Sequence, residues 1–321
     1  MNVYHSLEQV PPTAGLSVAI GNFDGLHLGH NEILEKCKES GSRPTVLTFD
    51  VHPREFLFPE FMPGLLTTKK EKYLYLEASG VDSVVELSFE KVRNMASVDF
   101  LNMLKDYLDI QSITVGFNFF FGKNQEGNSD MLYWWGRSAG VKINVIPPFM
   151  KSGLRVSSTS VRSLILSGEV ERASTLLVFP YVVSGKVIKG LQLGRKMQFP
   201  TMNQVVPEKI VPPNGVYLTL TVYKDRQMKS ITNIGNSPTI DVESIDRRIE
   251  TWVVDENVGD MYGNDISVYF FKKIRNEIRF SSKEKLSKQI TEDRLEFDDY
   301  WKSRKSGKLP FIDASNKVSK D

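Results

Sequence analysis

The first half of the chain alternates short apolar runs with stretches of helical periodicity. Five runs have the length and apolar character of buried strands, namely LSVAI, PTVLTFD, SVVEL, SITVG and KINVI. Where helices separate such strands, right-handed crossovers place the strands side by side in a parallel sheet. We therefore predict a Rossmann-like α/β domain whose ligand crevice lies at the carboxyl ends of its strands.

The predicted helices of this half begin and end at residues that are typical of helix termini. Residues 31–40 form the first helix, and Gly41 is a suitable residue for its C-terminal stop. Thr68 and Glu71 have the spacing of a capping box, and Gly80 closes the helix that they begin. A third helix, with one phenylalanine and three leucines on one face, precedes SITVG.

The pattern of apolar and polar residues changes near LLVFPYVVSG, after which β-like runs replace helical periodicity. These runs are YVVSGKVI, GVYLTLTVY, SITNIG, IETWVV and DISVYFF. In GVYLTLTVY, Leu218 and Leu220 point one way while Thr219 and Thr221 point the other, which predicts the half-buried alternation of an antiparallel sheet. Several such runs predict a small barrel or sandwich. A closing helix follows, with Ser281 as its predicted N-cap.

Composition narrows the class of protein. A chain of 321 residues suggests two domains, at roughly 150 residues per domain. The net charge is only +2 and no long Lys/Arg block occurs, which argues against nucleic acid or a membrane surface as partner. Cys37 is the only cysteine, so no intrachain disulfide can form. Neither a leader pattern nor a bilayer-length apolar run is present, and we expect a soluble cytoplasmic protein.

The stretch GNFDGLHLGH is the first candidate site. It contains two of the four histidines, His27 and His30, between the first strand and the first helix. Gly21, Gly25 and Gly29 allow backbone to approach a ligand closely. His30 is expected in the first helical turn, where free N–H groups and the helix dipole favour an anion. The pattern favours phosphate binding.

Two other interpretations of the histidine pair stay open at this point. One is a plain turn with two solvated histidines. The other is a metal site, which needs a third ligand, and the nearest candidates, Asp24 and Glu32, lack familiar zinc spacing.

A second anion-binding pattern, VSSTSVRSLI, follows the last strand of the same half. Ser158 or Thr159 is the predicted N-cap of a helix, and Arg162 is expected in its first turn. Hydroxyls, free amides and a guanidinium together bind anions well. The alternative is a plain capped helix with a surface arginine, but two such patterns in one α/β domain favour a phosphate site.

Four segments in this order, GNFDGLHLGH, LTFDVHPREF, GFNFFFGKNQEGN and VSSTSVRSLI, resemble the adenylyltransferase module of bacterial bifunctional riboflavin kinase/FAD synthases. The resemblance implies transfer of AMP from ATP to FMN with Mg²⁺ present, and release of pyrophosphate. It implies that His27, His30 and Arg162 act on the ATP phosphates. Other ATP contacts that it implies are Gly21, Asn22, Phe23, Asp24, Gly25, Gly29, Ser158 and Thr159. The flavin contacts that it implies are His52, Asn118 and Phe120.

The flavin segments depart from the family pattern at three positions. The family often has G-x-D-F-R-F-G where this chain has Asn118 and Phe120, and Val51 stands where proline is usual. We interpret these differences as changes in the flavin pocket. Phe120 is either a flavin contact or part of the core, and the core is the general expectation for an isolated aromatic residue.

The segment GKVIKGLQLGRKMQFPTMN is the candidate site of the second half. Its glycine-rich backbone could cradle phosphates. Thr201 and Asn203 are two residues apart on an extended segment, so their oxygens face the same side and suit Mg²⁺. The alternative from the residues alone is a set of hairpin turns beside a polar strand edge.

The second half also resembles the riboflavin kinase module of the same family, through GRKMQFPTMN, NGVYLTL, NIGNSPTI and RRIETWVV. The resemblance implies a six-stranded antiparallel barrel with a C-terminal helix. It implies that Thr201 and Asn203 hold Mg²⁺, and that Glu250 is the general base for the ribityl hydroxyl of riboflavin. The ATP contacts that it implies are Gly190, Gly194 and Arg195. The chain departs from the family at Lys189 and Gln198, where histidine and glycine are usual.

Together these patterns predict an FMN adenylyltransferase domain over 1–178, a riboflavin kinase-like barrel over 179–305 and a disordered tail over 306–321. The predicted function is synthesis of FMN and then FAD from riboflavin and ATP. The alternatives are a single-activity enzyme, a flavin-binding sensor without turnover, and a nucleotidyltransferase for another phosphorylated substrate. Small molecules are the expected partners, and a homo-oligomer stays open.

Overall fold

The computed structural model describes residues 1–12, 15–189, 199–236, 247–256 and 258–304. Contacts divide the chain into two units, Met1–Ser160 and Val161–Asp321. The predicted tail lies outside the described residues. Among the described helices, none combines the length and apolar character that crossing a bilayer requires.

The first unit is built on a six-stranded sheet in which every strand pair is parallel, in the order β1-β4-β3-β2-β5-β6. The strands are β1 (Asn2–Tyr4), β2 (Leu16–Ile20), β3 (Arg43–Phe49), β4 (Ser83–Leu87), β5 (Ile110–Gly116) and β6 (Lys142–Ile146). Every residue of β2 and β4 is buried, because both faces of the sheet are covered. The predicted parallel α/β fold is confirmed. Strand β1 was not predicted, since three residues are too few to show a period.

Six helices accompany this sheet: α1 (Leu28–Lys38), α2 (Pro53–Leu57), α3 (Lys69–Ala78), α4 (Phe89–Val92), α5 (Ser97–Tyr107) and α6 (Ser129–Ala139). The predicted capping box of α3 is confirmed. The Glu71 amide donates to Thr68 Oγ1 at 3.3 Å, and the Thr68 amide donates to Glu71 Oε2 at 2.8 Å. Helix α6 was not predicted, although Asn128 caps its N-terminus and Gly140 ends it. A hairpin, β7 (Met150–Lys151) and β8 (Leu154–Arg155), follows β6.

The strand order fixes where the crevice of this unit lies. The chain leaves β2 toward β3 and β4 on one side and returns to the other side of β2 at β5. The loops that follow β2 and β5 therefore diverge at the carboxyl edge of the sheet, which is where α/β sheets bind ligands. This topology places the loop 21–30 beside the loop 117–128.

The second unit contains a closed barrel of six strands in the order β10-β13-β12-β11-β14-β9, each paired antiparallel with its neighbours. The strands are β9 (Val182–Ile188), β10 (Thr201–Gln204), β11 (Gly215–Tyr223), β12 (Arg226–Asn236), β13 (Arg247–Val253) and β14 (Asp265–Arg275). The helices are α7 (Ser158–Leu166), in which the division between units falls, α8 (Val170–Leu176) and α9 (Lys283–Lys302). The predicted barrel with a C-terminal helix is confirmed.

The predicted half-exposed alternation of β11 is wrong. Thr219 and Thr221 have no exposed surface, and the neighbouring Leu218 and Leu220 are also buried. Thr219 Oγ1 lies 2.8 Å from the hydroxyls of Ser230 and Thr232, and the Thr232 hydroxyl lies 3.0 Å from that of Thr251. These hydroxyls hydrogen-bond to one another in the barrel interior. A polar strand face that the sequence suggests is solvent-exposed therefore lies inside the closed barrel.

Helix α9 packs on the barrel through aromatic residues and ion pairs, of which Arg275–Asp293 is more buried than Lys272–Glu296. Phe297 and Trp301 are buried. The Arg275 guanidinium on β14 donates from Nε and Nη2 to the two carboxylate oxygens of Asp293 on α9, at 2.8 Å each. The N-cap of α9 is Ser282, whose Oγ accepts from the Lys285 amide, and the predicted cap at the preceding serine is wrong by one residue.

We predict that Asp293→Ala destabilises the protein by about 3–5 kcal/mol, because Arg275 keeps a mostly buried charge that has lost its partner. Asp298→Ala is the matched control on the same helix. It removes a carboxylate that pairs with the more exposed Arg294, so a loss of about 1 kcal/mol or less is expected. Urea unfolding followed by circular dichroism measures both changes, and similar small losses in the two variants would contradict the prediction.

Candidate active sites

The first histidine of the loop after β2 caps the helix that follows this loop. His27 is the N-cap of α1, and its Nδ1 accepts the backbone N–H of His30 at 3.1 Å. A ring nitrogen that accepts a hydrogen bond carries no proton, so the neutral His27 ring is the tautomer with its proton on Nε2. His30 lies in the first turn of α1, as predicted. The Nε2–H of His27 is therefore a donor fixed in orientation by the helix cap.

The two histidine rings form one packed unit. Their centroids are 3.7 Å apart with an interplanar angle of 15°, and Phe23 packs at 5.1 Å from the His30 ring. Burial lowers the pKa of His27 to about 4, and burial together with His27 lowers the pKa of His30 well below its usual value. Both rings are neutral at neutral pH, so they offer N–H donors without positive charge.

The glycines of the histidine loop allow the loop to pack closely against its neighbours. Gly25 has a φ of +79°, and a Cβ there would lie 2.5 Å from Leu66 Cδ1. A Cβ at Gly29 would lie 3.2 Å from the His27 ring. Phe23, buried and with a φ of +51°, holds a backbone conformation that bulky residues rarely adopt. These positions shape the turn that presents the histidines.

Asp24 ties this loop to the segment before α3. Its carboxylate accepts the amides of Leu66 at 2.9 and 3.1 Å and of Thr67 at 3.0 Å, and also the Thr67 hydroxyl at 3.1 Å. The Gly25 amide donates in turn to Thr67 Oγ1 at 3.3 Å. With its oxygens engaged in this way, the buried Asp24 side chain holds the loop in place.

The start of α7 contacts the same loop. Ser157, which precedes both predicted caps, is the residue that caps α7, because its Oγ accepts the amide of Ser160 at 3.2 Å. The Ser158 hydroxyl is therefore not needed as a cap and donates to the Asp24 carbonyl at 2.9 Å. Thr159 is exposed, and the buried Arg162 follows Ser158 by four residues, one turn along the helix.

Beside the histidine loop lies a cavity of about 1020 Å³. Gly21 and Asn22 line one end, and the three residues predicted to contact flavin, His52, Asn118 and Phe120, line it as well. The structure thus brings together residues from three separate segments. The predicted set missed further aromatic residues of the lining, namely Phe58, Phe61 and Phe89. The aromatic-rich FLFPEF, directly after the quoted LTFDVHPREF, was the available signal for the first two.

Phe120 belongs to this cavity and not to the core. Its side chain is 55% exposed, so the core interpretation is wrong. The neighbouring Phe121 is buried, stacks on Phe119 at 5.3 Å, and packs so closely on Gly127 that a Cβ there would lie 2.8 Å from its ring. Phe119 and Phe121 therefore pack with the core and also form part of the cavity wall, whereas Phe120 is exposed in the cavity. His52 caps α2 through Nδ1, which accepts the Arg54 amide at 3.2 Å.

The second unit carries a polar row on the outer face of three adjacent strands. Asn203 on β10 pairs with Glu250 on β13, which pairs with Asn233 on β12. Asn203 is 5% exposed, and its Oδ1 has no hydrogen-bond partner within the described residues. Thr201 lies two residues away on the same face and is exposed. Burial raises the pKa of Glu250; Arg248 lowers it and Glu277 raises it further.

Sequence reasoning predicted Thr201, Asn203 and Glu250 but missed Asn233. Asn233 is the first residue of the quoted segment NIGNSPTI, and this position could have drawn attention to it. The strand register places Asn233 opposite Glu250, the predicted base. Gly190, Gly194 and Arg195, the predicted ATP contacts of this half, lie outside the described residues.

The polar side chains of the two units differ in whether they are suited to bind a metal ion. Within the described ranges, no group of three His, Cys, Asp or Glu side chains is placed to bind a metal ion. The histidine pair therefore has no third ligand there. The row of the barrel offers the amide and hydroxyl oxygens of Asn203 and Thr201 beside a carboxylate, and an orphaned buried carbonyl oxygen is a suitable ligand for a hard cation such as Mg²⁺.

Comparisons with known proteins match both units. A family model of FAD synthetase matches residues 10–160, and one of riboflavin kinase matches residues 177–301. The chain is 35% identical over 300 residues to a bifunctional riboflavin kinase/FMN adenylyltransferase of Escherichia coli (strain K12), covering 91% of this chain and 94% of that protein. It is 34% identical over 289 residues to the protein of that name from Pseudomonas fluorescens, covering 88% and 92%.

A solved structure has the same fold along nearly the whole chain. It is titled as a macrolide-efflux protein from Streptococcus pneumoniae and superposes with a TM-score of 0.82. The two chains are 25% identical, with 91% of this chain and 97% of that chain covered.

We predict that His27 makes folding stability depend on pH between about 6.5 and 4. The folded pKa, about 4, is below the unfolded value of 6.5, so the unfolded chain binds the proton first as pH falls. The stabilisation is complete above pH 6.5 and is lost toward pH 4, a change of about 3 kcal/mol.

His27→Asn tests this prediction, because asparagine is a good N-cap without a titrating group. Urea unfolding at several pH values should give a flatter stability profile for the variant across this window. Parallel profiles for the two proteins would refute the assignment.

Proposed function

The chain belongs to the family of bifunctional riboflavin kinase/FMN adenylyltransferases, and we propose that its two units perform the two successive reactions of that family. The barrel phosphorylates riboflavin to FMN, and the α/β unit transfers AMP from ATP to FMN, which yields FAD and pyrophosphate. The main support for this proposal is that each matched region contains a candidate site of its own. The first has an aromatic cavity beside the paired histidines, and the second has a carboxylate between two asparagines on the barrel.

Adenylyl transfer in the first unit is a matter of positioning and charge stabilisation. A phosphate oxygen of FMN attacks the α-phosphorus of ATP, and the bond from that phosphorus to pyrophosphate breaks. The proposed role of His27 and His30 is to donate neutral N–H groups to phosphate oxygens as negative charge accumulates. Because the rings are already neutral and oriented, no protonation step precedes catalysis. Ser158, Thr159 and Arg162 are proposed to bind the triphosphate at the start of α7.

The aromatic cavity is proposed to hold the flavin ring. Its lining combines exposed rings such as Phe120 with the polar side chains of Asn118 and His52. Flat aromatic ligands stack on rings of this kind, and a few polar groups fix their orientation. Asn22 joins this cavity to the histidine loop, which brings flavin and ATP phosphates together.

Phosphorylation in the barrel is proposed to use Glu250 as general base. The carboxylate accepts the proton of the ribityl 5′-hydroxyl while that oxygen bonds to the γ-phosphorus of ATP, and ADP leaves. The raised pKa of Glu250 brings its proton affinity nearer to that of a base working at neutral pH. Asn203 and Asn233 flank it and are placed to orient the hydroxyl or phosphates.

Magnesium is part of this proposal. Thr201 and Asn203 fit it through their oxygens, and Asn203 Oδ1 lacks any other partner among the described residues. When bound, Mg²⁺ neutralises phosphate charge and so lowers the barrier to transfer. The buried thiol of Cys37, the chain's only cysteine, supports a reducing cytoplasmic compartment.

The test is an assay of the pure protein with riboflavin, ATP and Mg²⁺, with flavins separated by chromatography. We expect both FMN and FAD. His30→Ala should reduce FAD formation from FMN by about 100-fold or more while riboflavin phosphorylation stays intact. Glu250→Gln should give the opposite pattern, with at least about 100-fold loss of FMN formation.

The Glu250→Gln protein should also be at least as stable as the unaltered protein at neutral pH, because the native fold buries a charge that the variant lacks. Its pH profile sharpens the test: in the unaltered protein, kinase activity should fall toward acid pH at a pH above 4.5. Absence of both products would exclude the bifunctional assignment, and FAD formation only from supplied FMN would leave a single-activity enzyme. Equal loss of both steps in either variant would contradict the division between units.

A further inference from the structure

A recess of about 110 Å³ opens beside the histidine loop and shares lining residues with the aromatic cavity. We propose that this recess is the subsite for the terminal phosphate of the flavin nucleotide, with the Lys72 ammonium as its cation and the Asn22 and Thr48 side chains as its polar contacts. The proposal deepens the proposed adenylyltransferase function and rests on it. It assigns the acceptor phosphate a place separate from the phosphates of ATP.

The position of the recess connects it to the flavin cavity. Asn22, Phe49 and His52 line both spaces, so a ligand whose ring lies in the larger cavity can extend a chain into the smaller one. The recess lies at the carboxyl end of β3, next to the end of β2, at the edge where this sheet binds ligands. Asp24, in the histidine loop, forms part of its wall.

Thr48 supplies an unpartnered polar atom. Its side chain is 1% exposed, and Oγ1 has no hydrogen-bond partner within the described residues. A buried hydroxyl without a partner is uncommon and costs stability unless a ligand or water satisfies it. Because Thr48 lines the recess, a phosphate oxygen placed there would accept its hydrogen bond.

Lys72 supplies the charge. It lines the recess from the first turn of α3, and its ammonium makes no hydrogen bond or ion pair with the described residues. Burial lowers the pKa of Lys72, while the charges of Glu86 and Asp24 raise it. A half-buried ammonium without a direct partner is stabilised when a bound phosphate brings negative charge to it.

Of the other charged groups of the recess, Glu55 is exposed to solvent, and Asp24, Asp50 and Lys69 have partners. Asp24 accepts the amides before α3, and Asp50 Oδ1 accepts the amides of Val51 and Phe89 at 2.9 Å each. Lys69 donates to Glu86 Oε2 at 2.5 Å. Lys72 is thus the cation of this wall that remains for a ligand.

The chemistry of the proposed reaction favours such a group on the flavin side. Two phosphate groups must approach each other before the acceptor oxygen bonds to the α-phosphorus, and their charges repel. The neutral His27 and His30 donate hydrogen bonds but carry no charge to offset this repulsion. A lysine on the flavin side neutralises the acceptor phosphate and holds it in place before attack.

Steady-state FMN adenylylation by the full chain tests the subsite. Lys72→Met should raise the KM for FMN about tenfold or more and leave the KM for ATP within about twofold, because one charge-assisted contact to the acceptor phosphate is lost. Lys72→Arg should recover part of the loss. Lys70→Met is the matched control, since it removes an exposed charge from the same helix outside the recess, and its KM for FMN should not change.

Equilibrium titration with FMN and with riboflavin, followed by flavin fluorescence, tests the same point without turnover. Lys72→Met should weaken a class of FMN sites and leave riboflavin binding unchanged. An increase in the KM for ATP alone would overturn the proposal, as would lower thermal stability with unchanged FMN affinity, which would make Lys72 only a counter-charge for Asp24. If the unaltered chain forms no FAD, the proposed function fails, while the titration still decides whether this recess binds the flavin phosphate.

Discussion

The hydrogen bond from the His30 amide to His27 Nδ1 is the interaction on which the first site depends. It starts α1, fixes the tautomer of His27 and aligns the two rings for stacking. Burial then keeps the rings neutral, so the site has oriented donors without carrying a buried charge. Asp24 holds the loop to the segment before α3, and Ser158 holds the start of α7 to the same loop. One capped helix start thus organises the loop beside the cavity, where ATP phosphates are proposed to bind.

In the second unit, barrel closure has the corresponding role. Interior threonine and serine hydroxyls satisfy one another, which leaves the outer face of the same strands for chemistry. The pleat sends Asn203, Glu250 and Asn233 to that face, and antiparallel register aligns them in one row. The row buries Glu250 enough to raise its pKa without removing it from reach of a substrate. Position in the sheet therefore gives Glu250 a raised pKa, which supports the role of general base proposed for it.

Predictions succeeded where one local pattern had one structural solution. The strand runs and the capping box at Thr68 belong to this group. They failed where neighbouring residues had equal local preference. Ser157 and Ser158 are equally good caps, and the contact of Ser158 with the Asp24 carbonyl decides between them. Phe120 and Phe121 are chemically identical, and only the packing of Phe121 on Gly127 and Phe119 shows which one belongs to the core.

The sequence by itself determined an α/β half followed by a β-rich half, the histidine loop and the family resemblance, because periodicity and motif spacing are local properties of the chain. Between a barrel and a sandwich, only the resemblance favoured the barrel. Only the tertiary structure decided the protonation of the histidines, the burial of the threonines of β11 and the proximity of His52, Asn118 and Phe120. It also decided which of the two α3 lysines that line the recess is engaged by Glu86. Burial, electrostatic environment and contact between distant segments depend on how elements pack, and residues far apart in the chain carry no mutual signal until the sheet and barrel bring them together.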